Sequence, residues 1–505
     1  MFRRSLPPFA DLAAFLGHLQ GKGDVADIAA PVDTHLELTE LHRRVIASGG
    51  PVLRVANPTV QGAPAKLPVV TNLFGTRARV AAGLGTDDAG LAALGDFMAF
   101  LRSPRPPESI AEAGKLWPVA RAAMNARPRV VSDTTRWRDD LTRLSDLPVQ
   151  TCWPGDVAPL VTWGLVVTRA PGPDAFSTYN LGVYRLQMVD DGRLLMRWLP
   201  MRGGAQHHRM WAKTGEPTPA AIVIGADPAT ILASVMPAPE GVTELALAGI
   251  IGASRPRLVP CRTIPLHVPA SADIVLEGTV SHTETLPEGP YGDHTGYYNP
   301  PEPFPVFNLS AMRVRDGAPY LTTFTGRAPD EPAVMAEALS DVFKPLLCQQ
   351  LPEVLDLYLP PETCSYRVAI LSIDKRYPGQ ARRVMMGFWS LLPQFSMTKL
   401  VIVVDGDIDI RSWSDVMWAV ATRSDASRDL MTVDRTPIDH LDFAAPIEGL
   451  GGKLGIDATT KIGIETDRVW GTVMTMDKAV AARVDQRWSE FFPTTVPAPT
   501  PTRTP

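Results

Sequence analysis

The chain is short of cysteine. Its 505 residues include four, Cys152, Cys261, Cys348 and Cys364, widely spaced and without a Cys-x-x-Cys pair. That argues against a disulfide framework or a zinc knuckle and for a reducing compartment. An excess of positive charge is also missing. There are 49 Lys and Arg against 54 Asp and Glu, a formal net charge of −5, and no basic stretch stands out, so a nucleic-acid partner is not expected. No run approaches the ~18 apolar residues of a membrane-spanning helix. The N-terminus, Met1-Phe2-Arg3-Arg4, begins with charge but meets Pro7, Pro8 and Asp11 before any adequate apolar region. This speaks against a secretory signal and makes the cytoplasm the expected location. No internal repeat is visible.

What is there is 45% hydrophobic and 20% charged residues, the balance of a soluble globular chain with room for roughly two to four domains. Residues 1–125 read as an α/β unit, with helical apolar spacing over 9–19, 36–47 and 87–100 and strands at 52–55 and 69–73. Residues 126–325 change to short strands punctuated by Gly, Pro and Asp, at 160–168, 178–189, 194–199, 221–225, 274–280 and 311–315, with helices near 228–235 and 243–252. Many short strands of this kind favour a small barrel. Residues 326–493 alternate strands, 366–373 and 400–404, with helices, 379–392 and 413–422, which favours a parallel sheet with crossover helices. The Pro- and Thr-rich end, 494–505, is expected to be disordered. The fold class predicted is a multidomain α+β / α/β chain.

The chemistry-bearing residues gather between Asn180 and Asp293. Arg185 lies mid-strand among Val183, Tyr184, Leu186 and Met188, where a guanidinium reaches an edge or enters a cavity to meet a carboxylate or phosphate. Asn180 and Arg185 face opposite sides of a regular strand. One small pocket can use both only if Gly182 marks a bulge, or if a large planar ligand passes around the strand. Asn180, His207 and Glu244 offer amide oxygen, imidazole and carboxylate, a set suited to Mn²⁺ or Mg²⁺. Their spacings of 27 and 37 residues match no short metal motif, and each is equally at home as a hydrogen-bonded structural residue. Glu288 and Asp293 flank Gly289-Pro290-Tyr291-Gly292, which must turn, so both carboxylates can return to one side. Paired carboxylates with separated pKa values are usual equipment for proton transfer; a solvated loop is the alternative. His294 is expected to hold this turn by a hydrogen bond rather than to move a proton.

Several strings, in order, resemble the UbiD family of decarboxylases and most closely its 3-polyprenyl-4-hydroxybenzoate carboxy-lyase branch. They are Thr151-Cys152-Trp153-Pro154, Met196-Arg197-Trp198-Leu199, Gly225-Ala226-Asp227-Pro228-Ala229-Thr230-Ile231, Val275-Leu276-Glu277-Gly278, the run from Glu288 to Tyr298, Tyr358-Leu359-Pro360-Pro361-Glu362 and Gly455-Ile456-Asp457-Ala458-Thr459. The likeness spans Asp33 to about Asp467. It implies a central split β-barrel of the flavin-reductase type and a C-terminal α/β domain that pairs subunits, hence a homo-oligomer, dimer or hexamer. It also implies a prenylated flavin mononucleotide held with Mn²⁺ (or Mg²⁺) and K⁺, and a flavin prenyltransferase to supply it. By position, Asn180, His207 and Glu244 resemble the metal ligands, Gln206 and Lys399 the phosphate contacts, and Arg185, Glu288 and Asp293 the catalytic network. Some hydroxybenzoate members carry an acid where this chain has histidine, whereas acrylate-acting members carry the pattern of His207-His208-Arg209, which leaves His207 and His208 both open as the ligand.

The resemblance implies a non-oxidative, reversible decarboxylase. Loss of CO₂ from an aromatic acid leaves electron density on an sp² carbon, so a cofactor must act as electron sink and the protein must orient and desolvate the carboxylate. Glu288 is expected to return the proton, with Arg185 setting its protonation and Asp293 orienting Arg185 or relaying the proton. The expected substrate is 3-polyprenyl-4-hydroxybenzoate, in ubiquinone biosynthesis. Its greasy tail would call for an apolar channel and peripheral contact with a membrane. A small phenolic, heteroaromatic or α,β-unsaturated acid is the alternative, and a catalytically silent assembly partner the reading of another class. Retention of Arg185, Glu288 and Asp293 together argues for the enzyme.

Overall fold

The computed structural model describes residues 4–102, 117–236, 241–392 and 395–492; the disorder expected of 494–505 lies outside the described residues. Residues 1–346 and 347–505 form two compact units.

The first unit begins with helices Leu12–Gly21 and Glu37–Ala47 and a sheet in the order Val25–Ile28, Val52–Val55, Val69–Thr71, Tyr320–Leu321. Asp11 caps the first helix by accepting the Ala14 N–H, and Leu12, Phe15, Leu16 and Leu19 form its buried face, the stripe that the apolar spacing predicts. The last strand of this sheet comes from beyond residue 316, and pairs parallel with Val69 and Val70. The N-terminal α/β elements therefore do not complete their own sheet. They share one hydrophobic core with the strands of the central region, in which Phe15 and Val69 belong to the same cluster as Leu165 and Ile222.

Six antiparallel strands make the centre of this unit: β1 (Leu160–Arg169), β2 (Tyr179–Asp190), β3 (Arg193–Met196), β4 (Thr218–Ile224), β5 (Ile274–Glu288) and β6 (Glu302–Arg315). Their spatial order is β3-β2-β1-β4-β5-β6, and β3 also pairs with β6, so the sheet closes into a barrel and has no edge left to cover. Every residue of β4 is buried, because the strand is covered inside the barrel and outside it. Helix α1 (Gly203–Ala212) follows β3, helix α2 (Glu244–Gly252) precedes β5, and α3 (Glu331–Gln350) leads towards the second unit.

Strand β2 does not keep one alternation. Tyr179 and Leu181 face the core at its start, Tyr184 and Leu186 further on, and the pairing with β1 shifts between Tyr184 and Leu186. The slip places Asn180 and Arg185 both on the side away from those core residues. A break in alternation was one of the two conditions for Asn180 and Arg185 to serve one ligand. It falls around Val183 to Arg185 rather than at Gly182 alone.

The second unit carries a five-stranded sheet in the order Val354–Tyr358, Val368–Ile373, Leu400–Asp405, Leu450–Ala458, Leu430–Pro437. Its three central strands are parallel, as expected, with Gln380–Leu391 and Trp413–Arg423 as helices. Both outer strands, which the expectation did not include, are antiparallel. Alternation of strand and helix reports the crossovers and says nothing of strands added at the edges.

One buried pair ties the barrel wall. Glu277 of β5 is fully buried, accepts the Arg262 and Thr263 N–H groups at 2.7 and 2.8 Å, and forms an ion pair with Arg313 of β6 at 2.9 Å. Arg313 lies over the Trp137 ring at 4.8 Å from its centroid. Arg313→Met leaves a buried carboxylate without its cation and is expected to destabilise the first unit by about 3–5 kcal/mol, read as a lower urea midpoint at unchanged slope.

Candidate active site

Strand β5 ends at Glu288, opposite Glu302 of β6. The chain then turns through Gly289, whose φ of 93° suits a residue without Cβ, and is pinned by a bridge between Gly292 and Tyr298 and by the Asp293 N–H donating to Tyr297 O at 3.0 Å. This turn brings Asp293 back beside β2. Arg185 Nε and Nη2 donate to the two oxygens of Glu288 at 2.8 and 3.0 Å, Nη1 donates to Asp293 Oδ2 at 2.7 Å, and Nη2 also donates to Asn299 Oδ1 at 2.8 Å. Arg197, just past the end of β3, donates to Glu288 Oε2 at 3.0 Å. The three predicted catalytic residues thus form one hydrogen-bonded group. Its members come from β2, the end of β5 and the turn after it.

Exposure separates the two acids. Glu288 is fully buried between two guanidinium groups, whereas the Asp293 side chain is 13% exposed. Asp293 and Arg185 line a 60 Å³ cavity with Cys152, Asp156, Leu160, Thr162, Gly292 and Thr325; Glu288 is not part of its wall. Burial disfavours a charged Arg185, but Asp293 and Glu288 outweigh it and hold its pKa above the ordinary value. Burial likewise pushes the Asp293 carboxyl up, but the hydrogen bond from His294 and the Arg185 charge overturn it and bring the pKa down to about 2. Asp156 holds the turn in place. Its Oδ1 accepts the Gly292 N–H at 3.0 Å, and its Oδ2 accepts the Cys152 and Trp153 N–H groups at 3.1 and 2.9 Å.

The predicted metal ligands meet through shared neighbours. Asn180 pairs with Thr168 across β2 and β1; Thr168 Oγ1 bonds His207 Nδ1 at 2.8 Å; the Leu181 N–H donates to Glu244 Oε2 at 3.1 Å. Helix α1 passes so close that a Cβ on Gly203 would lie 1.9 Å from Asn180 Oδ1, so a side chain there would displace the Asn180 amide. With Nδ1 of His207 engaged, its Nε2 is the nitrogen left for a ligand. Burial lowers the His207 pKa to about 4 and raises that of Glu244, with the Leu181 N–H opposing the rise. Among the described residues Glu244 has no ion pair, and Asn180 Nδ2 is buried without a hydrogen-bond partner. A neutral imidazole, an amide and an uncompensated carboxylate fit a hard divalent cation. No cluster of three or more His, Cys, Asp or Glu fit to hold a metal occurs among the described residues; the set found here depends on an asparagine. His208 points elsewhere, with Nδ1 on Thr218 Oγ1 at 2.9 Å and its ring 4.4 Å from that of His282.

The two predicted phosphate contacts differ. Gln206 lies on α1 beside His207, exposed, and donates to Met201 O at 3.2 Å. Lys399 belongs to the second unit, where its ammonium donates to Asp442 Oδ2 at 2.9 Å. A larger cavity, 390 Å³ and lined by Arg4, Leu6, Phe97, Trp117, Ile250 and Ala253 among others, contains none of the candidate residues. The residues not singled out from the sequence are Arg197, Asn299, Asp156 and Thr168. Arg197 and Asn299 stand in or beside the quoted strings, so an arginine in Met196-Arg197-Trp198-Leu199 was the available signal; nothing in the sequence points to Asp156 or Thr168.

The chain matches the 3-octaprenyl-4-hydroxybenzoate carboxy-lyase N-terminal domain over residues 16–98, the Rift-related domain of that enzyme over 124–328 and its C-terminal domain over 333–458. Among solved structures it is similar to the UbiD-class enzyme HmfF from Pelotomaculum thermopropionicum in complex with FMN, at 28% identity and a TM-score of 0.74, over 92% of this chain and 97% of that one. The Sedimentibacter hydroxybenzoicus vanillic acid decarboxylase in closed form shares the fold at 23% identity, TM-score 0.79, over 96% and 99%. The 3,4-dihydroxybenzoic acid decarboxylase of Enterobacter cloacae does so at 22%, TM-score 0.73, over 94% and 99%. Three consecutive domain matches, on a closed barrel that joins one arginine to two carboxylates, leave one assignment: the chain belongs to the UbiD family and is a carboxy-lyase.

Proposed function

We propose that this protein decarboxylates an aromatic acid, non-oxidatively and reversibly, at the cavity shared by Arg185 and Asp293, with a prenylated flavin mononucleotide held beside it through a divalent ion. The observation that carries the reading is Arg185 clamped between a buried carboxylate and one that faces a cavity. Asn180, His207 and Glu244 would hold the ion, Mn²⁺ or Mg²⁺ by their donor chemistry, and Gln206 stands near enough on α1 to approach a phosphate. Lys399, in the second unit, pairs with Asp442 at 2.9 Å. When bound, the flavin supplies the electron sink for the carbon that loses CO₂.

The residues of the chain do the rest. Arg185 attracts the substrate carboxylate to the cavity wall, where Leu160 and the Thr162 and Thr325 side chains take the place of its water. Glu288 receives three N–H donors from Arg185 and Arg197 and lies off the cavity, so we assign it the task of fixing and charging Arg185. Delivery of the proton passes to Asp293. This exchanges the two roles read from the sequence.

Two substrate readings each have their own support. The family descriptions favour 3-polyprenyl-4-hydroxybenzoate, and with it peripheral membrane contact. No helix among the described residues is long and apolar enough to cross a membrane. A cavity wall that includes Asp156, Thr162 and Thr325 beside Arg185 and Asp293 favours a small phenolic, heteroaromatic or α,β-unsaturated acid, because a polyprenyl tail asks for an apolar channel. A homo-oligomer, dimer or hexamer, belongs to the same reading; in the second unit Ile464, Val469 and Met474 are 95%, 98% and 98% exposed.

Three outcomes are expected for protein co-expressed with a flavin prenyltransferase. CO₂ release from a panel of hydroxybenzoates, with and without prenyl tails, and heteroaromatic acids should be lost by on the order of 10²-fold or more in Asp293→Asn, with KM little changed; wild-type release from no acid would defeat the functional reading. Glu288→Gln should raise KM as well as lower kcat, since it frees Arg185. Metal analysis should find the divalent ion absent from His207→Ala and retained in His208→Ala.

A further inference from the structure

Asp293 must regain a proton for each CO₂ released, if the proposed function holds. Its neighbours limit the source. Arg185, on Oδ2, does not surrender a proton at any working pH. Glu288 is buried between Arg185 and Arg197 and reaches neither solvent nor Asp293 except through a guanidinium. Asp293 Oδ1 is the outer end of the network, and on it converge the His294 main-chain N–H at 2.7 Å and the His294 ring Nδ1 at 2.8 Å.

We propose that His294 is the proton-return residue of this site, carrying protons from solvent to Asp293. The imidazole is 22% exposed against 13% for Asp293, so it is the step of the chain nearer water. The loop holds it there: the Gly296 N–H donates to Asp293 O at 2.8 Å, the Asp293 N–H to Tyr297 O at 3.0 Å, and Gly296 adopts φ 80°. The charged groups around the ring are Asp293 and Arg185 on one side, Asp330 at the start of α3 on another, and Arg327 packed against Gly296. Asp330 is buried and accepts the Gly326 and Ala333 N–H groups at 3.1 and 2.9 Å. A carboxylate held down to about 2 carries no proton of its own at neutral pH, so the proton delivered by Asp293 has to be stored next to it.

The step balances as proton transfers alone. The Nδ1–H bond of the imidazolium breaks as an O–H bond forms on Asp293; that O–H breaks as the C–H bond of the product forms. The neutral imidazole then keeps its Nε2–H and is bare at Nδ1; it takes one proton from solvent at Nδ1 as the partly exposed ring turns outward, and returns to Asp293 before the next turnover. His294 touches Asp293 and not the substrate, so it is a positioning and relay residue.

The donor must be protonated, so kcat should fall as pH rises through the imidazole ionisation. In His294→Asn the side-chain amide can occupy the place of Nδ1 but cannot ionise. This variant is expected to lose on the order of 10²-fold in kcat at neutral pH, to keep KM within roughly two-fold, and to lose that alkaline limb. Free imidazole added to His294→Ala should restore turnover. Independently of any substrate, the His294 ring resonance in ¹³C-histidine-labelled protein, identified by its absence from His294→Asn, should titrate at higher pH in wild type than in Asp293→Asn. Wild-type kcat with an unchanged pH profile in His294→Asn, or a ring titration indifferent to Asp293→Asn, would overturn the relay and leave the decarboxylase reading standing. Failure of the wild type to release CO₂ from any acid would overturn both.

Discussion

A carboxylate taken wholly out of water forfeits hydration that costs several kcal/mol even after the surroundings relax, and Glu288 is such a group. Its compensation comes from Arg185 of β2 and from Arg197 beyond β3. Those two arginines can converge on one carboxylate only because β3 closes the sheet against β6, setting the end of β5 beside its distant neighbours. Arg185, once committed to Glu288 on one flank, has Nη1 left for Asp293. The cavity-facing chemistry is thus a remainder of an electrostatic balance struck deeper in the wall.

The slip in β2 is the second requirement. A strand of strict alternation would send Asn180 and Arg185 to opposite faces, splitting the metal candidates from the acid-arginine group. Close packing marks the place: a Cβ on Gly164 of β1 would lie 2.6 Å from Leu186 Cδ1, next to where the pairing shifts. The irregularity costs a ladder hydrogen bond or two, and in return both groups of polar side chains come off the same strand, five residues apart.

Much of this was legible in the residues. The strands at 160–168 and 178–189 and the helix at 243–252 were found within a residue or two, because β-branched runs and Gly or Asp punctuation report local structure directly. The long reach of β5 to Glu288 was not, since Ser281 to Pro287 is polar and half exposed and reads as loop. Helix α1 was missed as well. It opens on two glycines and carries two histidines, poor helix formers whose helical state is imposed by the strand beneath. Arg185, Glu288 and Asp293 were identified as one group by resemblance; spacing alone had left them as a strand arginine and two loop acids. Which acid faces the cavity depends on three-dimensional burial, and no local pattern encodes that.

Closure of the barrel also sets an order of events during the life of the chain. Arg185 lies 103 residues from Glu288 and 108 from Asp293 in sequence, and the β3 to β6 seam that brings them together cannot form until β6 exists. Contacts so distant along the chain are slow to form, because the loop entropy is spent before they contribute. A nascent chain therefore cannot assemble the group of Arg185, Glu288 and Asp293 until nearly two thirds of it has been made.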